Sequence, residues 1–384
     1  MSFTAALRVP ETRRELRAPF VVDTPLVVTT VALVLFSIIM VYSTTGVLAQ
    51  EKFGDSLFFF KRQALAAGIG FVLMLLCSRI DLSILKRISP YLFFICVGLL
   101  LLTMIPGIGD RAGGAQRWVQ LPFIRFQPAE FIKLMFVIFI AGYYSRHEGQ
   151  VGNFLQGIVK PFFLFGFIAV PLLLQPDFGS TAVIALVTFG MAVALGVRLR
   201  WVVIGVVCAA IAAGILVYLS PYRMMRVVSF LSPMADASGK GYQLIQSLIA
   251  VGTGEVTGVG LGGSQQKLFF LPAAHTDFIF AVIAEELGFV GCLCVIAAFM
   301  VFLWRGLVLA GRLADDTFEC ALAVGLTLLV VAPAFLNMGV VLGILPTKGM
   351  VLPLVGYGGS SLIASLVGVG FLLALARSFQ KNVR

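Results

Sequence analysis

The sequence predicts an all-α polytopic membrane protein of ten transmembrane helices, and three observations carry that reading. Hydrophobic residues make up 60% of the chain against 12% charged, and the mean hydropathy is +1.03. Runs of roughly 20 apolar residues, the length that crosses a bilayer as a helix, recur from end to end. Backbone groups in hydrocarbon must be bonded within the segment, and unbroken runs of this length do not alternate as barrel strands do.

In order, the spans fall near residues 25–48, 57–78, 90–106, 128–145, 159–175, 179–196, 200–219, 277–304, 317–343 and 352–376. An even number puts both termini on one side. That side carries Arg8, Arg13, Arg14, Arg17, Arg79, Lys86, Arg87, Arg146, Lys160, Arg198, Arg200, Arg305, Arg312, Arg377, Lys381 and Arg384. Basic short loops mark the cytoplasmic face, so residues 1–24 form a cytoplasmic segment, 25–376 one membrane domain and 377–384 a cytoplasmic tail. The first span is too extended for a cleaved signal peptide and is expected to remain as an anchor. The six cysteines sit in or beside spans, where they read as small packing residues and not as a disulfide or metal framework.

The opposite, outer side holds the informative segments. The connection between spans seven and eight, residues 220–276, is by far the longest. Loops of that length are functional or disordered, and Leu244, Ile245, Leu248 and Ile249 argue for a short amphipathic helix lying on the outer surface. Gly258, Gly260 and Gly263 spell G-x-G-x-x-G but lack the strand, helix and acidic residue of a dinucleotide site. Their role is expected to be conformational, with no nucleotide bound. Nothing in the chain points to a nucleic-acid partner; its ligands are membrane lipids.

Several charged residues need weighing one by one. Asp277 stands at the start of span eight, where a carboxylate meets both water and a lipid-borne substrate; helix capping is the competing role. His275 is a candidate ligand-binding residue or an ordinary interfacial hydrogen-bonding group. Glu130 and Lys133, three apart at the start of span four, are spaced for a salt bridge that either neutralises a buried pair or supports a cavity. Asp177, in QPDFGS, suits a turn. At about 100° per residue, Glu285 and Glu286 lie about 80° and 180° around the helix from Asp277, so they are packing partners and not a second catalytic carboxylate. Outer cations exceed what the charge rule requires and suggest an anionic ligand, with Lys52, Lys61 and Arg62 read instead as interfacial snorkels.

The motifs GAQRW, FQPAEFIK, QPDFGS, PYRMMR, GYQLIQSL, LPAAHTDFIFAVIAEELG and LPTKGMVLPLVGYGGSS together resemble the SEDS (shape, elongation, division and sporulation) family, polytopic glycosyltransferases that polymerise peptidoglycan from lipid II. The similarity covers nearly the whole chain after about residue 25. LPTKG, with Lys348, is closer to the cell-division branch than to the elongation branch. The resemblance implies an outer-facing site with Asp277 as the catalytic carboxylate and Glu130, Lys133 and Asp177 around a central cavity. It also implies residence in the bacterial cytoplasmic (inner) membrane at the division septum. The chain departs from the family at Ala273, where a glutamate is usual, and at Gly356, where a serine is usual.

Such a reaction needs a general base for an attacking hydroxyl and positive charge for a departing diphosphate. Asp277 suits the first. Arg117, Lys267 and Lys348 are the leading candidates for the second, alone or with a divalent cation such as Mg2+ or Mn2+ whose ligands the sequence does not identify. Ser-x-x-Lys occurs at 83–86, 264–267 and 378–381, but the chain holds no soluble domain in which it could serve a transpeptidase. The resemblance therefore implies a class B penicillin-binding protein as partner, among other divisome proteins. Its helix is expected on spans eight and nine, near Gly288 and Gly291. A lipid II flippase and a non-catalytic divisome scaffold are the alternatives; a flippase would continue to work without Asp277, and a scaffold without any outer charge.

Overall fold

The computed structural model describes residues 23–105, 109–112, 115–120, 125–236, 239–268, 270–347 and 349–382. Nine of the described helices are long and apolar enough to cross a membrane, and Phe178–Ala194 is a shorter apolar tenth. The spans are α1 Thr24–Phe53, α2 Phe58–Cys77, α3 Leu82–Met104, α4 Pro128–Arg146, α5 Lys160–Leu174, α6 Phe178–Ala194 and α7 Leu199–Tyr218. After α8 Pro221–Leu231 and α9 Lys240–Thr253 come the last three spans, α10 Ile279–Arg312, α11 Thr317–Val341 and α12 Gly359–Asn382.

Local chemistry sets the helix ends. Asp23, Asp81, Asp177 and Asp316 each accept a backbone N–H of the turn they precede, capping α1, α3, α6 and α11. Pro128 occupies the first turn of α4, where its missing N–H costs nothing. Gly54 closes α1 in the left-handed region, at φ 69°. The cap at Asp81 starts α3 eight residues before the expected 90, with Pro90 tolerated inside the helix. The last span starts at Gly359 and not at 352, because residues 353–357 form turns and bends and the Tyr357 N–H is bonded to the His275 carbonyl.

At the end remote from Asp277, Arg305 clamps Asp23 through two hydrogen bonds of 3.0 and 2.8 Å and ties α10 to α1. Lys86 meets Asp316 at 3.6 Å, and Ser378 donates to Glu319. At the Asp277 end lies a feature not anticipated from sequence, a small antiparallel sheet of order β1-β2-β3: Gly109–Ala112, Ala115–Gln120 and Arg125–Phe126. It bridges α3 and α4, with Val119 opposite both Gly109 and Phe126.

The core lies among α4, α10, α11 and α12, where Phe136, Phe280, Phe299, Phe302 and Phe318 are fully buried. By contrast α7 buries only Val202. The long loop forms α8 and α9, the latter being the expected amphipathic helix: Leu244 is buried while Leu248 and Ile249 are exposed.

The glycine-rich stretch after α9 closely approaches the backbone of α10. Val259 and Gly260 N–H groups donate to the carbonyls of Glu285 and Glu286, and those of Phe289 and Val290 to Glu255 and Val256. This exchange is possible because Gly288 breaks the helical path of α10, at φ 64° and ψ −162°. A Cβ on Gly288 would stand 2.4 Å from the Gly258 nitrogen, and one on Gly291 2.3 Å from Leu287 Cβ. The expectation that a partner helix packs near Gly288 and Gly291 is therefore corrected at Gly288, which the chain's own loop covers.

Candidate functional site

A cavity of about 1770 Å³ runs from the outer loops into the bundle, walled by α2, α4, α6, α11 and α12. Asp277, His275, Glu130, Lys133 and Asp177 all line it. Five side chains drawn from segments as far apart as 130 and 277 thus share one space.

Asp277 sits in a loop that precedes α10, whose N-cap position is Phe278. The loop is built around Ala273. Its carbonyl accepts the N–H groups of Thr276 and Phe278 at 3.1 and 3.3 Å, with the Thr276 hydroxyl at 3.3 Å. Ala273 itself is held in the left-handed region at φ 56°, a conformation costing a residue with a Cβ about 1–2 kcal/mol. Two further bonds fix the loop from outside: Tyr357 N–H donates to the His275 carbonyl at 2.9 Å, and Asn337 Nδ2 donates to the Asp277 carbonyl at 2.7 Å. The 349–351 segment faces the Asp277 carboxylate closely, since a Cβ on Gly349 would lie 3.2 Å from Oδ2.

Across the cavity, Lys133 Nζ pairs with Glu130 Oε1 at 2.8 Å, with side chains only 11% and 14% exposed. The helical spacing thus gives the expected ion pair. Asp177 is buried, and its carboxylate accepts from the N–H and hydroxyl of Ser180 at 3.1 and 2.8 Å. His275 packs against the rings of Phe59 and Tyr357. Burial, with the nearby Lys52 charge, pushes its imidazole down to about 4, so it is neutral at pH 7. It can exchange a proton-neutral hydrogen bond with a sugar or amide, but it supplies no charge to an anion.

The expected cations divide. Lys267 is corrected: it does not line the cavity but forms an ion pair of 2.7 Å with Glu286, at 7% and 0% side-chain exposure, with Ser43 of α1 at 3.2 Å. The loop–helix pairing around Gly288 brings these groups together. Glu285 is likewise structural, accepting from the Ser264 hydroxyl and the Gln265 N–H. The Arg117 side chain and Lys348 lie outside the described residues.

Among the described side chains, three guanidinium groups line the cavity: Arg62, Arg223 and Arg226. Arg62, read from sequence as a snorkel, stacks over Phe58 at 4.3 Å and makes no ion pair among the described residues. Arg223 donates to the Leu216 and Leu173 carbonyls, and Arg226 to that of Thr347. The available signals were spacing ones. Arg62 follows Phe58 by one helical turn, and Arg223 and Arg226 are three apart on the amphipathic α8. Among the described residues, no group of three or more His, Cys, Asp or Glu side chains gathers as metal ligands, and Ala273 supplies no carboxylate beside Asp277. Among the described side chains that line the cavity, the positive charge comes from Lys133 and from guanidinium groups.

A family model described as Cell cycle protein, for FtsW, RodA and SpoVE, matches residues 24–381. "Probable peptidoglycan glycosyltransferase FtsW" of Methylococcus capsulatus is 43% identical over 366 residues, covering 93% of this chain and 90% of that protein. The protein of the same name from Coxiella burnetii is 40% identical over 357 residues, 92% of this chain and 96% of its own length. Among solved structures, a chain of a peptidoglycan synthase complex that coordinates polymerization and crosslinking superposes with a TM-score of 0.75 at 29% identity, over 92% of this chain and 97% of that one. The rod shape determining protein RodA of Thermus thermophilus gives 0.67 at 26%, over 92% and 96%.

Proposed function

This multi-pass membrane chain belongs to the FtsW, RodA and SpoVE family of cell cycle proteins, and from that premise we propose how it acts as a peptidoglycan glycosyltransferase of the FtsW type. Its substrate is lipid II, taken as both donor and acceptor. The 4-hydroxyl of one lipid-linked disaccharide attacks the anomeric carbon of another. Asp277 accepts the hydroxyl proton as the new C–O bond forms. The bond from the anomeric carbon to the polyprenyl diphosphate breaks, and the diphosphate leaves with the bonding electron pair. Arg62, Arg223 and Arg226 meet the charge that develops on it.

The observation that carries this reading is that the Asp277 carboxylate and the guanidinium groups of Arg62, Arg223 and Arg226 line one cavity. Base and leaving-group stabiliser must be separated by about the width of a sugar, which a cavity of about 1770 Å³ allows. Leu65 and Ile69 line the cavity and are also exposed on the outside of α2, a route by which the prenyl chain remains in lipid. Glu130, Lys133 and Asp177 keep the interior polar, and neutral His275 offers a hydrogen bond to the glycan.

The cavity mouth faces the periplasmic side of the cytoplasmic membrane in this reading, with both termini cytoplasmic, and the protein acts at the division septum. A class B penicillin-binding protein cross-links the strands it makes. The test is polymerisation of lipid II by the purified full-length chain, with and without such a partner, beside a matched Asp277→Asn variant. Glycan from the wild type and none from the variant is expected. Equal product from both removes Asp277 as the base.

A further inference from the structure

Asn337 lies in α11, one helical turn beyond the cavity-lining Pro333, and is 2% exposed. Its side-chain nitrogen donates to two backbone carbonyls, of Asp277 at 2.7 Å and of Met350 at 2.6 Å. Both acceptors are oxygens, so the amide orientation is fixed: the nitrogen must be the atom between them. The acceptor end, Oδ1, is then buried with no partner among the described residues.

That arrangement is expensive. A buried, unsatisfied carbonyl costs about 1–3 kcal/mol, and an apolar side chain of similar shape would avoid it. Unsatisfied polar atoms in native cores call for a reason, and here the reason is geometric. One carbonyl belongs to Asp277. The other belongs to Met350, next to Gly349, where a Cβ would lie 3.2 Å from Asp277 Oδ2. One planar amide therefore sets the backbone that carries the carboxylate and the backbone that walls it on the other side. The 2.6 and 2.7 Å bonds leave little slack in either.

We propose that Asn337 is a positioning residue for the glycosyl-transfer step, holding Asp277 and the 349–351 segment in register through their main-chain carbonyls. It touches neither sugar nor diphosphate. The inference rests on the reading of Asp277 as the base. A misplacement of about 1 Å at a reacting group costs up to about 100-fold in rate, so the effect belongs in kcat and not in lipid II binding.

The test compares wild type, Asn337→Leu, which is apolar and of similar shape, and Asn337→Ser, which is smaller and keeps a hydroxyl. All are full-length and assayed for lipid II polymerisation per folded molecule. Hydrogen exchange is followed at the amides of Thr276, Phe278 and Tyr357, which report the loop. The expected result is a kcat lowered about 10- to 100-fold with KM within about twofold of wild type, and faster exchange confined to residues 271–278 and 346–358. A merely structural asparagine would lower the thermal midpoint and leave kcat per folded molecule unchanged; that outcome overturns the proposal, as does a loss confined to KM. If Asn337→Leu does not fold, Asn337→Ser decides by the same criteria. A wild type that makes no glycan counts against the functional reading instead, and the exchange data then judge Asn337 alone.

Discussion

Protonation of His275 is the most quantitative consequence of the site. Its ring packs against those of Phe59 and Tyr357, and burial, reinforced by Lys52, takes its pKa from the ordinary 6.5 to about 4. In the unfolded chain the imidazole takes up a proton as pH falls through 6.5. In the folded chain it resists until about 4. Over that window the unfolded state binds more protons, so stability falls as pH falls. A difference of roughly 2.5 pH units at 1.36 kcal/mol per unit gives about 3 kcal/mol by pH 4, less where solvent reaches the ring. The perturbation is His275→Gln, a neutral residue that does not titrate. Unfolding free energies of wild type and variant, measured in the same detergent from pH 7.5 to 4, give a difference in which the carboxylates common to both cancel. The wild type should lose ground to the variant progressively below about pH 6.5 and run parallel to it above. Lys52→Gln should shrink the loss, because it removes the smaller of the two causes. Parallel curves across the whole range would refute the reasoning, since an imidazole that charges equally in both states adds no slope.

Asp277→Asn should lower polymerisation by about 100-fold or more with the thermal midpoint unchanged, read as glycan length and amount on a gel. Glu130→Gln and Lys133→Met should each cost about 2–4 kcal/mol of stability in detergent, and the double variant should recover much of the loss; additive losses would mean that the 2.8 Å pair carries no coupling. Lys267→Met should cost about 3–5 kcal/mol by stranding the buried Glu286, while the KM for lipid II of the folded fraction stays at the wild-type value. Arg62→Ala, on the open side of the cavity, should do the reverse, raising that KM with little change in the thermal midpoint.

What was legible in the sequence is what depends on short range. Ten apolar runs marked the spans because bilayer thickness fixes their length, and the three-residue spacing of Glu130 and Lys133 located the ion pair. The His275–Asp277 loop stood out because polar residues are scarce in such a chain. Contacts across long separations were not legible. Neither Lys267 nor Arg62 sits as expected: Lys267 is folded back onto Glu286 and Ser43, while Arg62 lines the cavity and stacks over Phe58. For Arg62 the only local signal is its spacing of one helical turn from Phe58, and for Lys267 nothing local points to a partner 19 residues away. The three short strands were missed for a related reason. Two to six residues each, they are held by pairing with one another and by packing on α3 and α4, not by an alternating pattern.

The glycine-rich loop shows the same dependence with a larger consequence. Read alone, Gly258 and Gly260 suggest conformational freedom. In the fold both have positive φ, at 80° and 94°, and their backbone is bonded, directly or through Val259, to the first turns of α10. The kink at Gly288 opens those turns to pairing, and Lys267–Glu286 and Ser264–Glu285 lock the loop to the same helix from its side chains. The loop from residue 254 to 267 and the start of α10 therefore form one body, and Asp277 is two residues from that helix. A displacement applied to the outer loop reaches the carboxylate through bonded backbone, without needing to pass through side-chain packing. On this argument, substitutions at Gly258 and Gly288 disturb Asp277 as well as the fold, although neither glycine lines the cavity.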